Sequence, residues 1–417
     1  VTAVGCAKPY LFAASDASAI AGEGRLACVL EDGDFARLTM RGAEVFDEDL
    51  CPIERPVFSL GAEEAAPEKG EFHHFMRKEI AEVPFAVEST LKALSKGDFD
   101  ALCKVLCQTK YLHIVACGTA YHSGLCLKYA AERLSRVLTE VFLASEYRYA
   151  DPIVPEKTLT IAVSQSGETA DTLAAAALAK ERGSLVLAVT NVERSSITRL
   201  ADFVLLTRAG KEVAVAATKS FNAQLAALYS IAAELARLHK GPTKSLAAFP
   251  VLARETLLAS ECVASWTPYF TGARSVFFLG RGADRCAALE GSLKLKEISY
   301  LPSEGYAAGE LKHGTLALVD GRTPVVAIAC DEAVADKTMN AVHEVYARGA
   351  AVFLVTPFES LCAAREITAS VLIPRCEPVF SPMLSVIPLQ MLAYHVSLAM
   401  GYDPDKPRNL AKSVTVE

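Results

Sequence analysis

From about residue 100 onward, apolar runs alternate with small-residue turns and helical stretches. Leu112-His113-Ile114-Val115-Ala116-Cys117 runs into Gly118, Ile161-Ala162-Val163 into Ser164-Gln165-Ser166-Gly167, and Val276-Phe277-Phe278-Leu279 into Gly280-Arg281-Gly282. Strand, turn, helix in succession is the pattern of a parallel sheet covered by helices on both faces, which predicts an α/β fold. The pattern also repeats. Gly118 lies 164 positions before Gly282, Ala162-Val163-Ser164 lies 166 before Ile328-Ala329-Cys330, and Arg182-Gly183 and Thr190 match Arg348-Gly349 and Thr356 at that same offset of 166. The registered segments predict two tandem nucleotide-binding-like α/β domains, over residues 98–240 and 260–405.

The first sixty residues have a different texture. Tyr10–Ala14, Leu26–Glu31 and Phe35–Met40 read as short strands, and Glu31-Asp32-Gly33-Asp34 carries the Asp-Gly signature of a tight hairpin. Residues 1–60 thus form a β-rich piece too small for a stable domain. Residues 61–97 follow as a linker, Gly61 to Gly70, and two helices, Phe72–Pro84, stopped by Pro84, and Phe85–Ser95. Near the other end, Pro378–Tyr402 contains no Asp, Glu, Lys or Arg and is long enough to span a bilayer. Its Pro382, Pro388, Gln390 and His395 argue instead for a turn and then a buried helix from about Ile387 to Met400, suited to packing against a second subunit. No membrane span is expected.

Composition narrows the function. A chain of 417 residues is long enough for two or three domains, and a formal charge of −7 with pI near 5.7 provides no basic stripe for nucleic acid. Twelve cysteines without paired spacing, and no secretory leader, read as reduced thiols of a cytoplasmic protein. Cys103 and Cys107 share a helix face, but no second pair of matching spacing accompanies them, and His73-His74 would point to different sides of a helix, so no metal site is expected.

Ser164-Gln165-Ser166-Gly167 is the best candidate for chemistry. A strand delivers it, the helix after it aims free N–H groups and a positive dipole end back at it, Ser164, Ser166 and Thr169 supply hydroxyls, and Gly167 admits close backbone approach. Neither a Walker lysine nor Gly-x-Gly-x-x-Gly is present, which points to a small phosphorylated metabolite rather than a nucleotide. In the second copy Asp331 and Glu332 occupy the equivalent turn and would repel phosphate. Glu290, Lys294 and Glu297 fall on one helix face; this is either a solvated salt-bridge ladder or a catalytic cluster. His313, in the loop-like stretch 303–314, is either structural or able to exchange a proton during sugar ring opening. Lys412 is either a solvated terminal lysine or an amine nucleophile desolvated by packing of an unusually apolar tail.

Taken together and in order, Ser164-Gln165-Ser166-Gly167-Glu168-Thr169-Ala170-Asp171-Thr172, Glu310-Leu311-Lys312-His313-Gly314 and Pro407 to Glu417 resemble the isomerase half of the glutamine:fructose-6-phosphate amidotransferases, from about Phe72 to the last residue. The resemblance implies tandem sugar isomerase (SIS) domains and synthesis of glucosamine 6-phosphate from fructose 6-phosphate, without a cofactor or metal. It implies that Ser164, Gln165, Ser166 and Thr169, with Thr119, hold the sugar phosphate, and that Ala120, Val215 and Ala217 line the sugar. Lys412 would form an imine with C2 of the open-chain ketose. Glu297 would carry the proton between C1 and C2, with Lys294 and Glu290 beside it, and His313 would assist ring opening from the neighbouring subunit of a homodimer. Phe12 to Ile20 is similar to the end of a glutaminase domain whose cysteine nucleophile is not seen here, since Val1 opens the chain; the implied ammonia source is then a separate glutaminase.

Three positions depart from the family's pattern. Ala120 and Ala217 stand where serines are usual and Thr315 where proline is, and each lost hydroxyl removes a contact worth about 0.5–1.5 kcal/mol. Two alternatives on the same fold are a glutamine-independent phosphosugar deaminase or isomerase and a sugar-phosphate-sensing regulatory module. The joint presence of Glu297, His313 and Lys412 favours the synthase.

Overall fold

The computed structural model describes residues 3–7, 10–14, 26–31, 33–39, 42–59, 68–94, 98–242 and 244–414. The chain forms two compact units, Val1–Gly70 and Glu71–Glu417. In the first, β1 (Ala3–Ala7), β2 (Tyr10–Ala14), β3 (Leu26–Val29) and β7 (Val57–Ser59) make an antiparallel sheet of order β2-β1-β3-β7; β4 (Phe35–Thr39), β5 (Gly42–Phe46) and β6 (Pro52–Ile53) make a second. The expected hairpin between residues 26–31 and 35–40 is therefore not formed, because those strands enter different sheets. The turn itself exists, with the Asp34 N–H donating to the Glu31 carbonyl at 3.1 Å, but the Asp34 carboxylate is held by a two-pronged bond from Arg55, which ties the turn to the segment before β7. Asp32, most of the 61–70 linker and residues 415–417 lie outside the described residues.

The second unit opens with α1 (Phe75–Ala81), α2 (Val83–Leu94) and α3 (Asp98–Leu106). Pro84 does not stop a helix here; it sits in the first turn of α2, where its missing N–H costs nothing. The first α/β half follows: β8 (Tyr111–Ala116), α4 (Gly118–Ser135), β9 (Leu138–Leu143), α5 (Ala144–Tyr147), β10 (Thr158–Val163), α6 (Ala170–Glu181), β11 (Leu185–Thr190), α7 (Ser196–Leu200), β12 (Phe203–Leu206) and the long α8 (Lys219–Leu238). The second half runs through α9 (Phe249–Ala259), β13 (Val276–Gly280), α10 (Asp284–Ser299), β14 (Ser303–Ala307), β15 (Val325–Ile328), α11 (Glu332–Tyr346), β16 (Val352–Thr356), α12 (Glu359–Cys362), β17 (Ala369–Leu372) and α13 (Pro382–Ala399).

Both sheets are wholly parallel, and their orders, β9-β8-β10-β11-β12 and β14-β13-β15-β16-β17, are the same when counted within each half. The chain reverses direction across each sheet between the first strand and the third, and ligands of open α/β sheets bind at that reversal, at the carboxyl ends of the strands. In the first half those ends are the Gly118 and Ser164 turns. The halves repeat in backbone detail as well: Gly118 and Gly282 have φ of +54° and +58°.

The repeat also corrects the reading of residues 303–314 as a loop. Ser303–Ala307 is the edge strand β14, and Gly305 permits it, since a Cβ there would come within 2.7 Å of the Leu289 backbone of α10. The apolar C-terminal helix begins earlier than expected, at Pro382, because Pro382 suits the first turn and Pro388 is tolerated inside. An 18-residue window within Pro378–Ala399 is 94% buried by this chain itself, against α10, α9, α1 and residues 260–269, so a second subunit is not needed to cover it.

Candidate active site

The turn after β10 is folded around its own hydroxyls. Ser164, almost fully buried, accepts the Gly167 N–H at 3.0 Å and lies 3.0 Å from the Thr169 hydroxyl; Ser166 Oγ accepts the Glu168 N–H at 3.2 Å. Gly167 is required twice over. Its φ is +69°, and a Cβ would meet Ser195 Oγ at 2.2 Å. Thr169 precedes α6 without capping it through its side chain, and of the first N–H groups of that helix the Ala170 N–H is taken by the Val414 carbonyl. The second half is closed at this point. Asp331 caps α11 by accepting the Ala333 N–H and pairs with Arg133 at 3.0 Å. Wholly buried Asp284 accepts from the Cys330 N–H at 2.8 Å and the Ser381 hydroxyl at 2.9 Å; burial, only partly offset by those bonds, raises its carboxyl to about 6.

At the other turn, α4 packs on α10 and brings the two halves of the unit into one cluster. Thr119 donates its hydroxyl to Glu290 Oε1 at 3.0 Å and accepts from Lys294 Nζ at 2.9 Å, which leaves it one lone pair for a ligand. Lys294 Nζ lies 2.6 Å from Glu297 Oε2 and 3.4 Å from Glu290 Oε1; the first contact is an ion pair without hydrogen-bond angles, so Glu297 Oε2 is otherwise unpartnered. The Lys294 and Glu290 side chains are 1% and 0% exposed, which excludes a solvated ladder. Burial works to lower the Lys294 ammonium, but the charges of Glu297 and Glu290 outweigh it and hold the group above its ordinary value, so Lys294 stays cationic.

The C-terminal tail crosses from α10 to α6. The Tyr300 hydroxyl accepts the Arg408 N–H at 2.8 Å while the Arg408 guanidinium lies 4.2 Å from the Tyr300 ring centroid; at the far end the Val414 carbonyl accepts the Ala170 N–H, at the start of α6, at 3.2 Å. Between these anchors Lys412 ion-pairs with Glu212, whose side chain is fully buried and also accepts from the Thr218 N–H at 2.9 Å and the Ser220 N–H at 3.1 Å. Burial alone would raise the Glu212 carboxyl, but Lys412 and these donors bring it down to about 2. Glu79 of α1 is nearly buried and accepts the N–H groups of Val213 and Ala214; burial, then the charge of Glu212, push it up to about 8.

The chain therefore gathers Ser164, Gln165, Ser166 and Thr169 at one turn, Thr119 and Ala120 at its neighbour, and Glu290, Lys294 and Glu297 on the facing helix. Val215 and Ala217 lie in the loop that Glu212 anchors, where the Val215 N–H donates to the Asp405 carbonyl. His313 stands apart: it is exposed, after the short turn Glu310–Lys312, and its ring makes no hydrogen bond or ion pair among the described residues.

Comparison with known proteins gives the family and the fold. The SIS domain family matches residues 106–234 and 269–400. The isomerizing glutamine–fructose-6-phosphate aminotransferase of Clostridium tetani is 43% identical over 429 residues, covering 99% of this chain and 71% of that protein; its counterpart in Zymomonas mobilis is 42% identical over 436 residues, covering 100% and 71%. The chain belongs to the isomerizing glutamine–fructose-6-phosphate aminotransferase family. Among solved structures, the C-terminal domain of glucosamine-fructose-6-phosphate aminotransferase from Francisella tularensis superposes with a TM-score of 0.78 at 36% identity, over 82% of this chain and all of that one. A glucosamine-6-phosphate deaminase from Thermotoga maritima follows at 0.68 and 26% identity, over 82% and 99%.

Three residues of the cluster, Glu212, Glu79 and His122, were not among those expected from the sequence of this family member. Glu79 was visible in principle, because Met76, Glu79 and Ile80 share one buried face of α1, where a lone carboxylate demands a partner. Glu212 gave no such signal, since its partner Lys412 is 200 positions away.

Proposed function

We propose that this chain makes glucosamine 6-phosphate from fructose 6-phosphate and ammonia, with the phosphate at the Ser164 turn and Lys412 as the covalent nucleophile. The observation that carries the reading is the placement of Lys412: its tail is hydrogen-bonded to the first residue of the phosphate-facing helix, and its amine is drawn to a buried carboxylate beside the sugar-binding loop. As the free amine, Lys412 adds to C2 of the open ketose, and water leaves as the imine forms. Ammonia displaces the lysine to give the C2 imine of the sugar. An imine acidifies C1–H, so Glu297 can take that proton and return it to C2, while the C1 hydroxyl proton passes to the imine nitrogen and leaves the aldehyde and the C2 amine. Lys294, kept cationic between Glu297 and Glu290, stabilises charge developing during the transfer.

His313 has no partner in this chain's cluster, which suits the expectation that it serves the ring-opening step of a neighbouring subunit in a homodimer. The test is incubation with fructose 6-phosphate and ammonium, assayed for glucosamine 6-phosphate and glucose 6-phosphate. Amino sugar formed with ammonium supports the reading; absence of any aldose product from folded protein overturns it.

A further inference from the structure

We infer that His122, a residue outside the set assigned above, is a positioning residue that keeps Glu290 from drawing Lys294 away from Glu297. This rests on the reading of Glu297 as the proton carrier. His122 lies one helical turn past Thr119 on α4, so both reach the same carboxylate from one face. Thr119 Oγ1 holds Glu290 Oε1 at 3.0 Å, and His122 Nδ1 holds Glu290 Oε2 at 2.7 Å. Glu290 has no exposed side-chain surface, and among the described residues these two groups are its hydrogen-bond donors; Lys294 Nζ is the cation nearest it, at 3.4 Å.

The Lys294 ammonium donates to Thr119 and ion-pairs with Glu297 at 2.6 Å and Glu290 at 3.4 Å. With Oε2 released, Glu290 would keep the Thr119 hydroxyl on Oε1 alone, and a buried carboxylate with one open oxygen is relieved by rotating onto Lys294. Glu297, whose side chain is 21% exposed, would then lose its cation. His122 prevents this by donating Nδ1–H, which fixes the imidazole tautomer and leaves Nε2 as the polar atom remaining on a ring that borders a surface cleft with Ser292, Lys296 and Glu304.

The experiment compares His122→Leu and His122→Asn with the wild-type chain in the ammonium-dependent synthesis, alongside 15N NMR of the imidazoles in wild type and Glu290→Gln. The inference expects His122→Leu to lower kcat about ten- to hundredfold with KM for fructose 6-phosphate within about threefold, the size of a lost hydrogen bond to a buried charge. His122→Asn, which keeps a donor, should recover most of that loss. The wild-type ring should show a protonated Nδ1, and Glu290→Gln should remove that preference. Unchanged kcat in His122→Leu, a loss confined to KM, or an Nε2–H tautomer in the wild type would each overturn the inference. A wild type that forms no aldose product overturns the reading of Glu297 itself, and the NMR then decides the His122–Glu290 contact alone. Should His122→Leu fail to fold, His122→Asn and the tautomer carry the decision.

Discussion

Lys412 and Glu212 form an ion pair across 200 positions of sequence, with the carboxylate wholly buried and the lysine side chain 24% exposed. A lysine five residues from the end of a chain would ordinarily be solvated and mobile. Here the pair, with the Val414 carbonyl bond on one side and the Tyr300–Arg408 contact on the other, turns the tail into part of the site.

The pair has a pH signature. The Glu212 carboxyl sits near 2 in the folded chain against an ordinary 4.5, so the stability it contributes is complete above 4.5 and is lost as pH falls toward 2. Glu212→Gln should cost about 2 kcal/mol at pH 7, a value reduced from that of a fully buried pair by the partial exposure of Lys412. Urea titrations should show the gap between the two proteins closing as pH drops through that window. A gap independent of pH would mean that the pair is not what Glu212 stabilises.

Glu79 works in the opposite sense. Its folded value near 8 lies above the ordinary 4.5, so between those values the folded chain holds a proton that the unfolded chain has released, and stability falls as pH rises. Glu79→Gln, which imitates the protonated form, should flatten that decline, gaining on the order of 2–4 kcal/mol on wild type between pH 5 and pH 8. Calorimetric Tm values that fall in parallel for both proteins would contradict this.

Gly167 is the point of least tolerance in the phosphate turn. Gly167→Ala must place a side chain at φ +69° and against Ser195, and should destabilise the chain by about 2–4 kcal/mol while abolishing tight sugar-phosphate binding. Thermal melting and calorimetric titration with fructose 6-phosphate measure the two effects. A variant of wild-type stability would show that the turn is looser than its contacts imply.

Ser166 offers a cleaner separation of binding from chemistry. Its hydroxyl accepts one backbone N–H and can still donate to an anion. Ser166→Ala should raise KM for fructose 6-phosphate about tenfold with kcat nearly unchanged, as expected for a group that grips phosphate equally before and during the reaction. A fall in kcat at constant KM would place Ser166 at the reacting carbons instead.

Much of this was legible in the sequence because the signals were local. The apolar run, serine turn and helix of Thr160–Leu173 lie within fourteen residues, and the 166-residue offset between the halves reappears as two sheets of identical strand order. Where pairing is remote, local signals misled. The Asp-Gly turn at residues 32–33 predicted a hairpin, yet the strands on either side of it were claimed by different sheets. Small residues made 303–307 look like a loop, although the same smallness lets β14 lie close on α10. Glu212 and His122 were hidden for a related reason: each is defined by a partner, Lys412 or Glu290, that only the fold brings near.

The central claim is that Lys412 is the amine that meets the ketose. Borohydride reduction in the presence of fructose 6-phosphate, followed by peptide mass mapping, tests it directly. The account predicts a reduced sugar adduct on the peptide carrying Lys412, absent in Lys412→Ala while that variant still binds the sugar phosphate. An adduct on another lysine, or undiminished trapping in Lys412→Ala, would contradict it.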